Sequence, residues 1–282
     1  MRVAIVGTGL IGGSLALALK KSAFASHVIG IDQNAEHLEK ALSLKIIDDT
    51  ATLQEACHAA DIIILTIPVD AISKVLSHIL EYIPETTTVV DMGSTKEKIC
   101  NDIAFHPKRG CFVAAHPIAG TENTGPEAAI VDLFTGKKTI ICEKEKSKPQ
   151  ALSQVEKLFR SLEMSIEYMT AKDHDLHIAY VSHLSHISSF TLGLTVLEKE
   201  KNEKLIFNMA GSGFASTVRL AKSSPEMWAP IFNQNSKNIS AALGTYIENL
   251  QAFKEAIDTN DLQKTKGIMQ QANAIRKVLD KG

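Results

Sequence analysis

The sequence predicts an α/β protein: a doubly wound parallel sheet in the first part of the chain, then an all-α part. Three observations carry this prediction. Short apolar runs alternate with amphipathic stretches to about residue 170, the rhythm of strand and helix in a parallel sheet. A glycine-rich turn, Gly7-Thr8-Gly9-Leu10-Ile11-Gly12, joins the first run to the first helical stretch. After about Thr170 the alternation stops and only helical periodicity remains.

Each element follows from local pattern. Residues 2–6 are a short apolar run ending at Gly7, as in a buried parallel strand. Residues 12–20 are small and apolar, with Leu15 and Leu19, and fit a helix packed tightly on a sheet. A second strand over 27–31 ends at Asp32, and 35–44 has helical spacing. A third strand over 62–67 stops at Pro68, with a helix over 72–82 behind it. A fourth strand over 87–90 leads into Asp91-Met92-Gly93-Ser94. Two further strands are expected near 112–113 and 139–141, the first within a strand-like run over 111–115, and 150–162 is an amphipathic helix. Beyond 170, one long helix is expected over 174–199, and others over 237–256 and 261–279. Pro225 and Pro230 mark a break between helices. The expected division is residues 1–170 and 171–282.

Composition narrows the function classes. The chain has 282 residues, 45% hydrophobic and 22% charged, with net charge −2. That is a globular composition with nothing to attract nucleic acid or a membrane surface. No apolar run approaches the ~20 residues of a spanning helix. Cys57, Cys100, Cys111 and Cys142 show no metal or disulfide spacing, which suits a reducing compartment. The first residues run straight into a strand without a targeting pattern, so a cytoplasmic protein is expected.

Gly7, Gly9 and Gly12 have the spacing of a dinucleotide fingerprint in its proper setting, between a strand and a helix. The first glycine permits the tight turn, the second lets backbone approach a pyrophosphate, and the third lets helix and strand pack closely. Leu10 and Ile11 lie within the turn. Asp32 stands twenty residues past Gly12 at a strand end, where a carboxylate binds ribose hydroxyls and repels a 2′-phosphate. NAD is therefore expected rather than NADP, on a Rossmann-type sheet. Thr66 and Pro68, at the third strand's end, are expected to line the same site.

A second segment carries the chemistry. His116-Pro117-Ile118-Ala119-Gly120-Thr121-Glu122 follows a strand-like run, and strand ends are where such sheets present groups to a bound cofactor. A histidine there can accept a proton near neutral pH, as removal of hydride from an alcohol requires. An isolated His-Pro is more often a plain turn. His174 and His177, and His183 and His186, repeat a three-residue spacing, but with no acidic or cysteine third ligand no metal is expected.

Taken with Gly93-Ser94, with Ser182-His183-Leu184-Ser185-His186, and with the run from Arg219 through Ser224-Pro225-Glu226-Met227-Trp228, that segment resembles the prephenate/arogenate dehydrogenase family over nearly the whole chain. The resemblance implies oxidative decarboxylation of prephenate to 4-hydroxyphenylpyruvate in tyrosine biosynthesis, or of arogenate to tyrosine directly. It implies that His116 accepts the substrate's hydroxyl proton and that Ser94 orients that histidine or bonds the same hydroxyl. Arg219 would bind a substrate carboxylate, and His186 would be a second substrate contact. Glu122 would meet the nicotinamide side or gate the pocket; Ser182 and Trp228 would line it, though Trp228 suits core packing equally, and His183 is expected to pack. Two departures bear on the substrate. Ser185 stands where relatives often have Pro, and Ala215-Ser216-Thr217 follows Phe214 where many carry a basic residue and Asp. The helical half is expected to form a homodimer through apolar positions such as Ile178, Val181, Leu184 and Phe190. A β-hydroxyacid dehydrogenase shares this plan, but it would place a lysine on the long helix, and none lies between Lys172 and Lys199. A non-catalytic NAD-binding sensor would explain the fingerprint and Asp32 alone.

Overall fold

The computed structural model describes residues 1–201 and 205–279; positions 202–204 and 280–282 of the expected helical half lie outside the described residues. The chain packs as two compact units, Met1–Asn235 and Ser236–Gly282.

The first unit is built on one eight-stranded sheet, β1 (Arg2–Val6), β2 (His27–Ile31), β3 (Asp49–Thr50), β4 (Ile62–Leu65), β5 (Thr88–Asp91), β6 (Phe112–Pro117), β7 (Lys138–Cys142) and β8 (Ser165–Met169). Their order is β3-β2-β1-β4-β5-β6-β7-β8. Every neighbouring pair is parallel except β6 and β7. The order reverses between β1 and β4, the position at which such sheets open a crevice at their carboxyl edge.

Alternation along the strands separates two cores. Val3, Ile5, Ile62, Ile64, Val113 and Ala115 face one, with α1 (Leu10–Lys21), α2 (Ala35–Ser43) and α6 (Pro149–Ser161) over it. Ala4, Val6, Ile63, Leu65, Phe112 and Ala114 face the other. That side is covered by α3 (Leu53–Ala59), α4 (Val69–Tyr82) and α5 (Glu97–Asp102). In α4 the buried residues Val69, Ile72, Leu76, Ile79 and Leu80 recur at helical spacing. Each fully buried Ile or Leu contributes about 1.5–3 kcal/mol, so the strands are held chiefly by this two-sided burial.

Helices complete the unit: α7 (Ala171–Ile178), α8 (Leu184–Glu200), α9 (Ser212–Val218) and α10 (Pro225–Gln234). The second unit contains α11 (Ser236–Asp258), α12 (Leu262–Ala272) and α13 (Arg276–Leu279). The α/β part followed by helices is thus the predicted fold class. No described helix is long and apolar enough to cross a membrane.

Several local expectations are corrected. The strand before His116 runs on through His116 and Pro117, because both pair with β7, His116 opposite Ile140 and Pro117 opposite Thr139. The helix expected over 174–199 is interrupted by a π turn at Ala179–His183. The break expected at Pro225 and Pro230 is instead helix α10: Pro225 sits in its first turn, where no N–H is needed, and Pro230 is accommodated inside it. Five elements were not predicted, among them the two-residue β3 and the short helix α9. β8 is a half-exposed edge strand, α5 is short and partly polar, and α3 begins with a capping box between Thr52 and Glu55.

Candidate active site

The cofactor turn is built as the glycines demand. Gly7 has φ +98°, and a side chain there would meet the Thr66 carbonyl at 2.8 Å. A Cβ on Gly12 would lie 1.9 Å from the Gly7 carbonyl oxygen. Nothing lies within 4 Å of a Cβ built on Gly9, so its backbone is open to a ligand. The Thr66 hydroxyl donates to the Gly7 carbonyl at 2.6 Å and ties the turn to the end of β4. Leu10 and Ile11 begin α1 and pack on the first core, while Pro68 is the N-cap of α4. No acidic residue occupies the first turn of α1, leaving the positive end of its dipole for an anion.

Asp32 lies just past β2. Its Oδ2 accepts from the Thr8 N–H at 2.7 Å and the Thr8 hydroxyl at 3.0 Å, and its Oδ1 accepts from the Asn34 N–H at 2.9 Å. The carboxylate is fixed beside the phosphate turn and remains 14% exposed. These residues fit NAD: a tight backbone cradle for the pyrophosphate and a carboxylate for the adenosine ribose.

The chemical centre grows from the ends of β5 and β6. Lys96 and Asp91 are both fully buried and form an ion pair. Lys96 Nζ also donates to the Ala115 carbonyl at 2.8 Å. Asp91 accepts from the Ala115 N–H at 3.2 Å and the Gly93 N–H at 3.0 Å. The pair thereby joins the turn carrying Ser94 to the residue preceding His116.

His116 Nδ1 lies 2.9 Å from His174 Nε2, and His174 Nδ1 lies 2.8 Å from Asp175 Oδ1. Asp175 in turn accepts from the backbone N–H groups of Lys96 at 2.8 Å and Glu97 at 2.9 Å. Burial pushes the His116 pKa well below the ordinary value, helped by His174 and the Lys96 ammonium. Burial also lowers His174, against the pull of Asp175. His116 is therefore a neutral imidazole at physiological pH. Ser94 is half-buried near the same strand ends. Among the described residues its hydroxyl makes no hydrogen bond; the partner of His116 is His174.

The other predicted residues form two groups. His186 stacks on Trp228 with ring centroids 3.4 Å apart, and its Nδ1–H donates to the Ser182 carbonyl at 3.0 Å, leaving Nε2 as an acceptor. Burial lowers its pKa. His183 is fully buried, edge-on to Trp228, 3.2 Å from the Asn235 amide and pushed down to about 4 by burial. Trp228 belongs to the second core. In the other group, the Arg219 guanidinium bonds Glu122 at 2.8 Å. Glu122 is held below its usual carboxylate range by a hydrogen bond from its own backbone and by Arg219. An open polar cleft of 520 Å³ is lined by Glu122, Asn123, Thr124, Glu127, Lys222 and Ser224.

Sequence reasoning missed Asp91, Lys96 and Asp175, and considered His174 only as half of a metal pair. His174 is buried while His177 is exposed, so the two do not share a site. The signal available was Asp91 at a strand end, where a carboxylate in an apolar run needs a partner.

A phosphate-binding turn after β1 and a neutral histidine on β6 of one doubly wound sheet define a dinucleotide-dependent dehydrogenase. Family models narrow this further. That of the prephenate dehydrogenase nucleotide-binding domain matches residues 15–168, and that of the prephenate dehydrogenase dimerization domain matches 170–271. The chain belongs to the prephenate dehydrogenase family. It is 32% identical to the prephenate dehydrogenase of Bacillus subtilis over 93% of this chain and 71% of that one. The crystal structure of prephenate dehydrogenase from A. aeolicus, with hydroxyphenyl propionate and NAD+, superposes with a TM-score of 0.90 at 32% identity, covering 99% and 98% of the two chains. Arogenate dehydrogenase from Synechocystis gives 0.78 at 27% identity, covering 99% and 100%.

Proposed function

We propose that this protein is an NAD-dependent prephenate dehydrogenase of tyrosine biosynthesis, forming 4-hydroxyphenylpyruvate. The observation that carries the reading is His116, kept neutral at the carboxyl end of β6 in the sheet whose β1 end carries the nucleotide turn. NAD supplies the hydride acceptor when bound. His116 bonds the substrate hydroxyl and takes its proton as hydride leaves the same carbon. The carboxylate then departs as CO2 and its bonding electrons complete the aromatic ring. The balance releases no proton, so His116 returns the proton to the phenolic oxygen. Ser94 contributes a second contact to that oxygen. Arg219, aimed by Glu122, binds a carboxylate, and His186, held by Ser182 and Trp228, offers Nε2 to the substrate.

Prephenate is placed ahead of arogenate because both matching family models and the Bacillus subtilis relative are named for prephenate. The similarity to a dehydrogenase named for arogenate supports that substrate as the second reading. Residues 1–170 would carry the cofactor and 171–282 the substrate contacts and a homodimer interface. Exposed apolar residues such as Val181 at 74% and Met209 at 90% support the dimer. Four unpaired, buried cysteines support a cytoplasmic setting.

NADH formation, followed by absorbance with NAD and each substrate separately, tests the reading. Faster turnover of prephenate is expected. Turnover of arogenate alone would transfer the assignment to arogenate dehydrogenase.

A further inference from the structure

We propose that His174 and Asp175 are positioning residues: they hold His116 in the tautomer that leaves its Nε2 lone pair free for the substrate hydroxyl, and they share the proton's charge. This rests on the dehydrogenase reading of His116.

Asp175 sets the direction of the relay. The Asp175 carboxylate accepts from two backbone N–H groups, those of Lys96 and Glu97. The third group against it is His174 Nδ1, at 2.8 Å, which must therefore carry hydrogen. A neutral imidazole has only one N–H, so His174 Nε2 is an acceptor. It lies 2.9 Å from His116 Nδ1, which must then donate. In neutral His116 the lone pair is left on Nε2. Each assignment follows from the one before, and the direction is set at the Asp175 end.

The relay is held in place at both ends. Asp175 and His174 are adjacent on α7 and both buried. The N–H groups that grip Asp175 belong to the segment following Ser94, and Lys96 in that segment bonds the carbonyl of Ala115. The groups facing the pair are Lys96, already neutralised by Asp91, and His183, itself turned toward Asn235. When His116 takes a proton, the acceptor on His174 and the carboxylate behind it stabilise the imidazolium. A serine hydrolase uses the same logic, with the aspartate orienting a histidine and never taking its proton.

Two readouts test this. Nitrogen-15 NMR of histidine-labelled, ligand-free protein should show Nδ1–H on both His116 and His174. An Nε2–H tautomer at His116 in the unaltered protein would overturn the proposal. In steady-state assays with NAD and the better substrate, His174→Leu removes the acceptor and should lower kcat about 100-fold or more, while Kd for NAD stays within about twofold. His174→Gln, whose amide oxygen can still accept from His116, should recover at least about tenfold of that loss. A His174→Leu enzyme within about threefold of the unaltered kcat, or Gln and Leu enzymes equally slow, would contradict the positioning role. If the leucine variant does not fold, the NMR assignment and the glutamine variant still decide. If the unaltered protein turns over neither substrate, the dehydrogenase reading fails, while the NMR result still tests the relay.

Discussion

The Lys96 ammonium and the Asp91 carboxylate form a fully buried ion pair beneath the strand end that carries His116. Taking both charges out of water costs several kcal/mol per ion, offset only when the remaining donors and acceptors are satisfied. Here the Ala115 carbonyl accepts a second bond from the ammonium, and the Ala115 and Gly93 N–H groups donate to the carboxylate. The pair fixes the spacing between the Ser94 turn and the strand bearing His116.

Breaking that pair from one side should be severe. Lys96→Met leaves Asp91 buried without its partner and should lower unfolding free energy by about 3–5 kcal/mol. Urea denaturation at neutral pH measures this. A loss under about 1 kcal/mol would mean that the pair is not buried as described.

Acid should weaken the fold through its histidines. His116, His174, His183 and His186 all have folded pKa values lowered by burial, His183 to about 4. Below about pH 6.5 the unfolded chain binds protons that the folded chain refuses, so stability rises with pH in that window. Their contribution is fully present above about pH 6.5 and is lost as pH falls; for His183 it is about 3 kcal/mol across the interval down to about pH 4. Urea midpoints at about pH 7.5 and about pH 5 read it. A midpoint unchanged or higher at the lower pH would contradict the burial of these neutral rings.

The nucleotide turn has no room at its third glycine. In Gly12→Ala the new methyl would lie 1.9 Å from the Gly7 carbonyl oxygen, a backbone atom that cannot move aside cheaply. NAD affinity, followed by calorimetry, should fall by about tenfold or more, roughly 1.4 kcal/mol. Unchanged affinity would place the cofactor elsewhere.

Arg219 should matter for binding more than for chemistry. Arg219→Ala removes a charged hydrogen-bonding partner worth about 1.5–3 kcal/mol. The substrate KM should therefore rise about 10- to 100-fold, with a smaller change in kcat. An unchanged KM would remove the carboxylate role.

The framework was legible because its causes are local. Gly7 and Gly12 announce a turn that only glycine fits, and the uninterrupted apolar runs of β1, β4 and β6 announce strands buried on both faces. The site was legible only in part. His116, Arg219 and His186 stand in recognisable runs, but their partners do not. Asp91 and Lys96 are five positions apart in a stretch with no regular period, and their pairing depends on β6 lying alongside. His116 and His174 are fifty-eight positions apart, on a strand and on a helix. The π turn at Ala179–His183 and the helix continuing through Pro230 are tertiary outcomes that residue propensities oppose.

The role proposed for His116, proton acceptor in an NAD-dependent dehydrogenase, is tested by His116→Asn. NAD binding by calorimetry should be retained, while kcat with the better substrate falls by about 100- to 10,000-fold. A variant that binds NAD and turns over at the unaltered rate would remove His116 from the proton transfer.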